Sequence, residues 1–296
     1  MMGKLSQTQC LRLGVLLIVC ATTLCTGCGD RTYSSPEGYD LRRPGKMKLG
    51  KVLNEISGIT YYTDSSILLA IADSKKKVIA INPKTRKLHD VAKDFSEQAD
   101  FEDLVLLGDT VYVLVSNGAI MAVPRGGKDS SSTRIYPFWS GEKKNDFEAL
   151  YYDADVNGLI MVCKSCVADK GEQVRSAYRF DMETRSFDSV AFYQLSTEDV
   201  KKALKKDDVD FKPSAAAIHP VSKRLYILAS AGNLLVIADT KGHIIEAYNL
   251  NPDQHPQAEG IAFAPNGDMY ISNEGKYGTP TLQHFPYRQV KKIKRP

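Results

Sequence analysis

One short segment recurs five times along this chain at nearly constant spacing. The copies are Glu55-Ile-Ser-Gly-Ile-Thr-Tyr61, Asp100-Phe-Glu-Asp-Leu-Val-Leu106, Asp146-Phe-Glu-Ala-Leu-Tyr-Tyr152, Lys212-Pro-Ser-Ala-Ala-Ala-Ile218 and Gln257-Ala-Glu-Gly-Ile-Ala-Phe263. Their third residues, Ser57, Glu102, Glu148, Ser214 and Glu259, are separated by 45, 46, 66 and 45 residues. A period of this length means that one supersecondary unit is repeated and stacked, and it restricts the chain to a small set of architectures.

Each unit has the same interior. A first strand of small and apolar residues leads into a turn, then into a strongly apolar strand: Ile67 to Ala72, Val111 to Val115, Leu159 to Cys163, Leu225 to Ala229 and Met269 to Ser272. A third strand follows, such as Val78 to Ile81 or Leu234 to Ile237, and a more polar fourth, such as His243 to Leu250. Short strands with turn signals every 8–12 residues mean an all-β fold. Four strands per unit at this period mean the antiparallel blades of a β-propeller. The long third interval contains Ser196-Thr-Glu-Asp-Val-Lys-Lys-Ala-Leu-Lys-Lys206, a short amphipathic helix opened by a capping serine. Its place is between blades, as surface decoration or as cover for an opening.

The last unit lacks a fourth strand, whereas Lys46 to Leu53, ahead of the first unit, is strand-like and unassigned. Closing the ring with that N-terminal strand completes a fifth blade and removes both free edges. Five blades are expected. The alternative, six, requires a degenerate blade hidden in the third interval.

The segments Glu55-Ile-Ser-Gly-Ile, Asp146-Phe-Glu-Ala-Leu and Gln257-Ala-Glu-Gly-Ile-Ala, the last followed by Asp268-Met-Tyr-Ile-Ser-Asn-Glu274, resemble the SdiA-regulated family. The resemblance covers about residues 46 to 285. It implies a cell-envelope propeller of the broad NHL type, with calcium as a bound cofactor, and it supplies no reaction.

The ends of the chain carry separate information. Lys4 and Arg12 precede and flank an apolar run, Leu13 to Ala21, too short to span a bilayer. Basic, apolar and then small residues read as an export signal. The run closes on Leu24-Cys25-Thr26-Gly27-Cys28, similar to a lipobox with Cys25 where Leu is usual; ordinary cleavage near Gly27 is the alternative. The expected organisation is a lipoprotein signal peptide over 1–27 and a flexible tether over 28–43, lipidated at Cys28. A propeller over 44–290 and a basic tail over 291–296 follow. The expected location is the exported face of a bacterial envelope, held to a membrane by lipid. Loss of Lys4 and Arg12 with the signal takes the net charge from +4 to +2, which argues against nucleic acid as a partner. Beyond Cys28 two cysteines remain, Cys163 and Cys166. No second pair exists for a zinc site, and outside the cytoplasm they read best as a disulfide.

In a propeller the first strand of each blade lines the central channel, so equivalent positions form rings. One ring is Ser57, Glu102, Glu148, Ser214 and Glu259; the level beside it is Glu55, Asp100, Asp146, Lys212 and Gln257. So many carboxylates cannot all stay ionised without a cation, protons or hydrogen-bond donors. Oxygen-only ligands suit calcium, with Glu102, Glu148, Glu259, Asp100, Asp146 and Glu55 as candidates. Alternatively, the glutamates accept backbone N–H bonds from the next blade and only hold the ring. The ends of the second strands bring Asp73, Asn117, Asn273 and Glu274 toward this rim, and the loop before Gln257 brings His255. His219 and His284 read as packing or surface residues, and Phe101, Phe147, Tyr61 and Tyr151 as core.

Two functions follow. The first is a lipid-anchored protein that binds a small ligand or a protein partner with its acidic face. The second is a metal-dependent hydrolase of a lactone or phosphoester, with His255 or Glu274 as base. No nucleophile–base constellation stands out, which favours binding over catalysis.

Overall fold

The structure is a computed structural model and describes residues 33–72, 77–92, 99–125, 133–138, 144–276 and 278–289. The export signal, Cys28, Asp73 and the basic tail from Lys291 lie outside the described residues. None of the described helices is long and apolar enough to cross a membrane.

Five antiparallel blades make up the described chain. The first comprises Ile56–Tyr62, Ile67–Ala72, Lys77–Ile81 and Leu88–Ala92, and the second Phe101–Leu107, Thr110–Val115, Ile120–Pro124 and Arg134–Tyr136. The third comprises Asp146–Asp153, Gly158–Ser165, Val174–Asp181 and Ser186–Phe187, and the fourth Ala215–Ile218, Leu225–Ala229, Leu234–Ala238 and Ile244–Asn249. In the fifth, Ala258–Phe263, Met269–Asn273 and Thr281–Phe285 are joined by Gly45–Lys48 from the other end of the domain. That closing strand pairs antiparallel, Gly45 opposite His284 and Lys48 opposite Thr281, so the sheet that holds the C-terminal strand also holds the N-terminal one. The first strands of successive blades adjoin one another around the ring.

The core is divided into five apolar seams, one between each pair of adjacent blades. Each second strand is packed on both faces, which is why Leu225–Ala229 reads as an unbroken apolar run and is buried at every position. The 66-residue interval holds no sixth blade. It is filled by a split outer edge in blade three, where Tyr193–Ser196 also pairs with the third strand, and by the helix Thr197–Leu204. Ser196 Oγ accepts a hydrogen bond from Asp199 N at 3.1 Å, and the helix ends at Lys205 in a left-handed conformation. Val200 is buried in the seam between blades three and four, and Lys206 Nζ donates to Asn249 Oδ1 at 2.7 Å. The helix therefore packs beside the outer strand of blade four, and covers no channel opening.

The expectation of a flexible tether as far as residue 43 is corrected for its last part. Pro36, Tyr39 and Leu41 are buried, and Tyr39 and Leu41 complete the seam between blades four and five. The Tyr39 hydroxyl donates to Gly267 O at 2.5 Å. His219 explains the arrangement: its Nδ1 accepts from Val221 N and Ser222 N at 3.2 and 2.9 Å, so Nε2 carries the proton and donates to the Tyr39 hydroxyl at 2.7 Å. Burial lowers the His219 imidazole to about 4 and keeps it neutral. His219 is thus a packing residue with both nitrogens bonded.

Candidate functional site

The repeat position that carries the glutamates is a β-bulge. In blade two Phe101 pairs with Val115 and Asp103 with Leu114, which leaves Glu102 without a partner. Phe147 with Cys163 and Ala149 with Val162 do the same for Glu148, and Ala258 with Asn273 and Gly260 with Ser272 for Glu259. In blade one the bulge spans Ser57 and Gly58. A bulge re-aims one side chain while the strand continues in register. The three glutamates are turned by this device into one region, where Glu148 repels both Glu102 and Glu259.

Ring closure does not rest on these glutamates. Asp103, one residue further on and buried, accepts from its own Leu104 N and, through its other oxygen, from Leu150 N of blade three, both at 2.8 Å. Ser214 Oγ donates to Ala258 O at 2.9 Å, and Ser272 Oγ to Ser57 O at 3.2 Å, tying blades four to five and five to one. Gly58 is glycine because a Cβ there would lie 2.6 Å from the Cα of Asp103. Since these neighbours hold the blades together, the glutamates remain available for other contacts.

A cation from the protein stands among them. Lys164 leaves the end of the second strand of blade three, and its ammonium hydrogen-bonds the Glu148 carboxylate and lies 3.8 Å from Asp146 Oδ2. Oxygen atoms of Glu102, Asp146 and Glu148 come within 4.8 Å of one another. Burial raises the Glu102 carboxyl to about 9, and Glu148, Asp100 and Asp146 add to the rise. Glu259 is raised to about 8 by burial, with Glu148 and Glu274 contributing. Burial lifts Glu148 only to about 7, because Lys164 opposes it; Asp146 is raised by burial as well. At neutral pH the cluster is compensated by protons on Glu102 and Glu259 and by the Lys164 ammonium. A cavity of about 330 Å³ opens beside it, lined by Glu148, Lys164, Lys212, Ser230, Gln257 and Glu259 among others.

The other candidates fall into two groups. Asp100 stands near the cluster with its side chain toward solvent, and Glu274 acts on Glu259. Glu55 is exposed at the start of its strand. Asn117 is exposed, and its side-chain oxygen accepts from Ala119 N at 2.9 Å, so it shapes a turn. Asn273 is fully buried and shares a strand face with Ile271, inside the seam between blades four and five. His255 is corrected likewise: it is 2% exposed and its ring stacks on Phe285 at 6.0 Å. Burial lowers its imidazole to about 4. The loop through Asn251 turns back over blade five, with His255 N donating to Asn251 O at 2.8 Å, and so carries the ring inward. Cys163 and Cys166 are joined as a disulfide, with Cα atoms 5.9 Å apart, so the thiols offer no metal ligands beside Asp169. Lys164 and Ser230 are the site residues that sequence reasoning passed over. Lys164 lies near the end of its second strand and Ser230 directly follows its own, at the position that Glu274 occupies in blade five.

The family model described as SdiA-regulated matches residues 35–277. No curated protein matches the sequence. Among solved structures, a luciferin-regenerating enzyme is similar at 13% identity and a TM-score of 0.52, over 84% of this chain and 97% of that one. A calcium-binding regucalcin from Agrobacterium tumefaciens is similar at 10% identity and a TM-score of 0.50, over 86% and 96%. A gluconolactonase from Xanthomonas campestris is similar at 10% identity and a TM-score of 0.50, over 89% and 94%. At these identities the likeness is one of fold.

Proposed function

This chain belongs to the SdiA-regulated family, and we propose that it is an exported, lipid-anchored binding protein of the cell envelope whose site is the acidic mouth of the channel. The carrying observation is the convergence of Glu102, Asp146 and Glu148 on one point, with the Lys164 ammonium bonded to Glu148 and close to Asp146. A ligand for this point is positively charged. Three carboxylates without histidine or thiolate match calcium in donor type, so the residues fit that ion. Glu102, Asp146 and Glu148 would hold it, and Lys164 would have to swing away on its flexible stem into the adjoining cavity. Bound calcium would supply a positive centre open to oxygen atoms of a second ligand in that cavity. Ser230, Gln257 and Lys212 line the cavity and offer hydrogen bonds to such a molecule. The anchor at Cys28 and the partner that the propeller meets are parts of the same proposal.

Of the two bases that the hydrolase reading offers, the His255 imidazole is buried against Phe285, which leaves only Glu274, beside Glu259. The binding reading is tested by melting the mature protein with calcium and with chelator. Calcium that binds only the folded state raises stability by about 2.7 kcal/mol at a hundredfold excess over Kd. The midpoint rises with calcium in the wild type and much less in Glu148→Gln. A midpoint indifferent to calcium and chelator rejects the proposed ion.

A further inference from the structure

A second cavity, also of about 330 Å³, lies between blades one and five on a face that the acidic mouth does not use. Its floor follows from strand register. Gly45, His284, Tyr270 and Ala262 are aligned across blade five, each opposite the next, so their side chains share one face. Tyr270 stacks on His284 with ring centres 4.8 Å apart and planes 23° apart, and Tyr61 of blade one stacks on Tyr270 at 5.9 Å and 26°. Gly45 contributes no side chain at the end of this row. A Cβ there would make only ordinary contacts, 3.5 Å from His284 O, 3.7 Å from its Cβ and 3.9 Å from its Nδ1.

The His284 ring is held in place. Its Nε2 bonds Asp268 Oδ2 at 3.0 Å, and Asp268 Oδ1 accepts from Tyr287 N at 2.9 Å, so both carboxylate oxygens are occupied. Two cations border the cavity, Lys84 and Arg86, on the turn between the third and fourth strands of blade one. That turn is fixed by Asn82, whose Oδ1 accepts from Lys84 N and Thr85 N at 3.0 and 2.9 Å and whose O accepts from Arg86 N at 2.8 Å. Neither cation enters an ion pair among the described residues. Lys46 also borders the cavity, but it pairs opposite Gln283 and alternation sends its side chain to the other face.

Stacked rings favour a flat, polarisable ligand face, and a guanidinium beside an ammonium favours an anionic oxygen group. We propose that this cavity binds a small molecule in which an anionic group is attached to a flat ring, the ring lying over Gly45 against the Tyr61–Tyr270–His284 stack and the anion meeting Lys84 and Arg86. The site is separate from the acidic mouth, with which it shares no lining residue.

Phenyl phosphate is the probe, with phenol and inorganic phosphate as its two halves, followed by calorimetry and by amide NMR shifts on the mature protein. The expected result is binding of phenyl phosphate at least tenfold tighter than either half, weakened by added salt. The Lys84→Ala/Arg86→Ala variant, changed only at exposed turn residues, loses at least tenfold. Gly45→Val, which puts a side chain at the end of the row with its Cβ at ordinary contact distance from His284, abolishes binding while the melting midpoint stays near wild type. Absence of saturable binding, equal affinity for phenol or phosphate alone, or undiminished binding in the two variants overturns the proposal.

Discussion

The Lys164 ammonium is hydrogen-bonded to the Glu148 carboxylate at the mouth of the channel. Lys164 is inserted between Cys163 and Cys166, so the disulfide closes the backbone around the residue that supplies the counter-charge. A buried carboxylate left alone takes up a proton; one with an ammonium beside it stays ionised nearer to neutral pH. Glu148, next to Lys164, is accordingly raised less than Glu102 and Glu259. Glu148 thus gives up its proton more readily than Glu102 and Glu259, with the Lys164 ammonium as the cause.

Stability should fall as pH rises from about 6.5 to 9. Glu102, Glu259 and Glu148 hold their protons to about 9, 8 and 7 in the folded chain, above their ordinary range, so folding takes up protons in this window. Below about 6.5 the trend is opposed by His219 and His255, which stay neutral to about 4 when folded and charge when unfolded. Glu102→Gln removes the group with the highest of these values and should flatten the alkaline slope of the melting midpoint. A wild-type midpoint that is level or rising between 6.5 and 9 contradicts the protonated cluster.

Asp103→Ala should cost about 3 kcal/mol, since it strands the buried N–H groups of Leu104 and Leu150. Asp103→Asn keeps one acceptor oxygen and should cost less. Chemical denaturation measures both, and a loss below about 1 kcal/mol for the alanine variant would show that this bridge between blades two and three is dispensable.

Never-reduced protein should take no alkylating label at Cys163 and Cys166, and two labels after reduction and unfolding. The closed loop is short, so its removal should cost only about 1–2 kcal/mol. Because Lys164 lies inside it, reduction should also shift the alkaline limb of the stability profile. Two reactive thiols in the native exported protein refute the pairing.

Membrane fractions should yield an N-terminal peptide that begins at Cys28 and carries two or three acyl chains, identified by mass spectrometry. A soluble mature form with an unmodified N-terminus excludes the anchor.

The blades were legible because each repeats the same strand lengths and turn chemistry, and the period survives even where side chains diverge. Glu102, Glu148 and Glu259 were legible for the same reason, as one position of that repeat. The sequence alone placed Asn117 at the rim, but in blade two the position equivalent to Lys164 and Glu274 is Ser116, one residue earlier. Lys164 was hidden inside a cysteine motif that drew attention to sulfur. The ring-holding role, an alternative reading of the glutamates, falls instead on Asp103 beside the bulge of blade two, on Ser214 at the repeat position of blade four and on Ser272 of a second strand. His255 was beyond sequence reasoning, since its placement depends on the path of the 251–257 loop, which no periodicity governs.

Calorimetric titration of calcium into the Lys164→Met variant, beside the wild type, tests the central claim most directly. Methionine keeps much of the stem and removes the ammonium that an incoming ion must displace. If Glu102, Asp146 and Glu148 form a cation site guarded by Lys164, the variant binds calcium at least tenfold more tightly, a gain of about 1.4 kcal/mol. Equal or weaker binding in Lys164→Met would contradict the account, because Lys164 would then not be standing in the place of the ion.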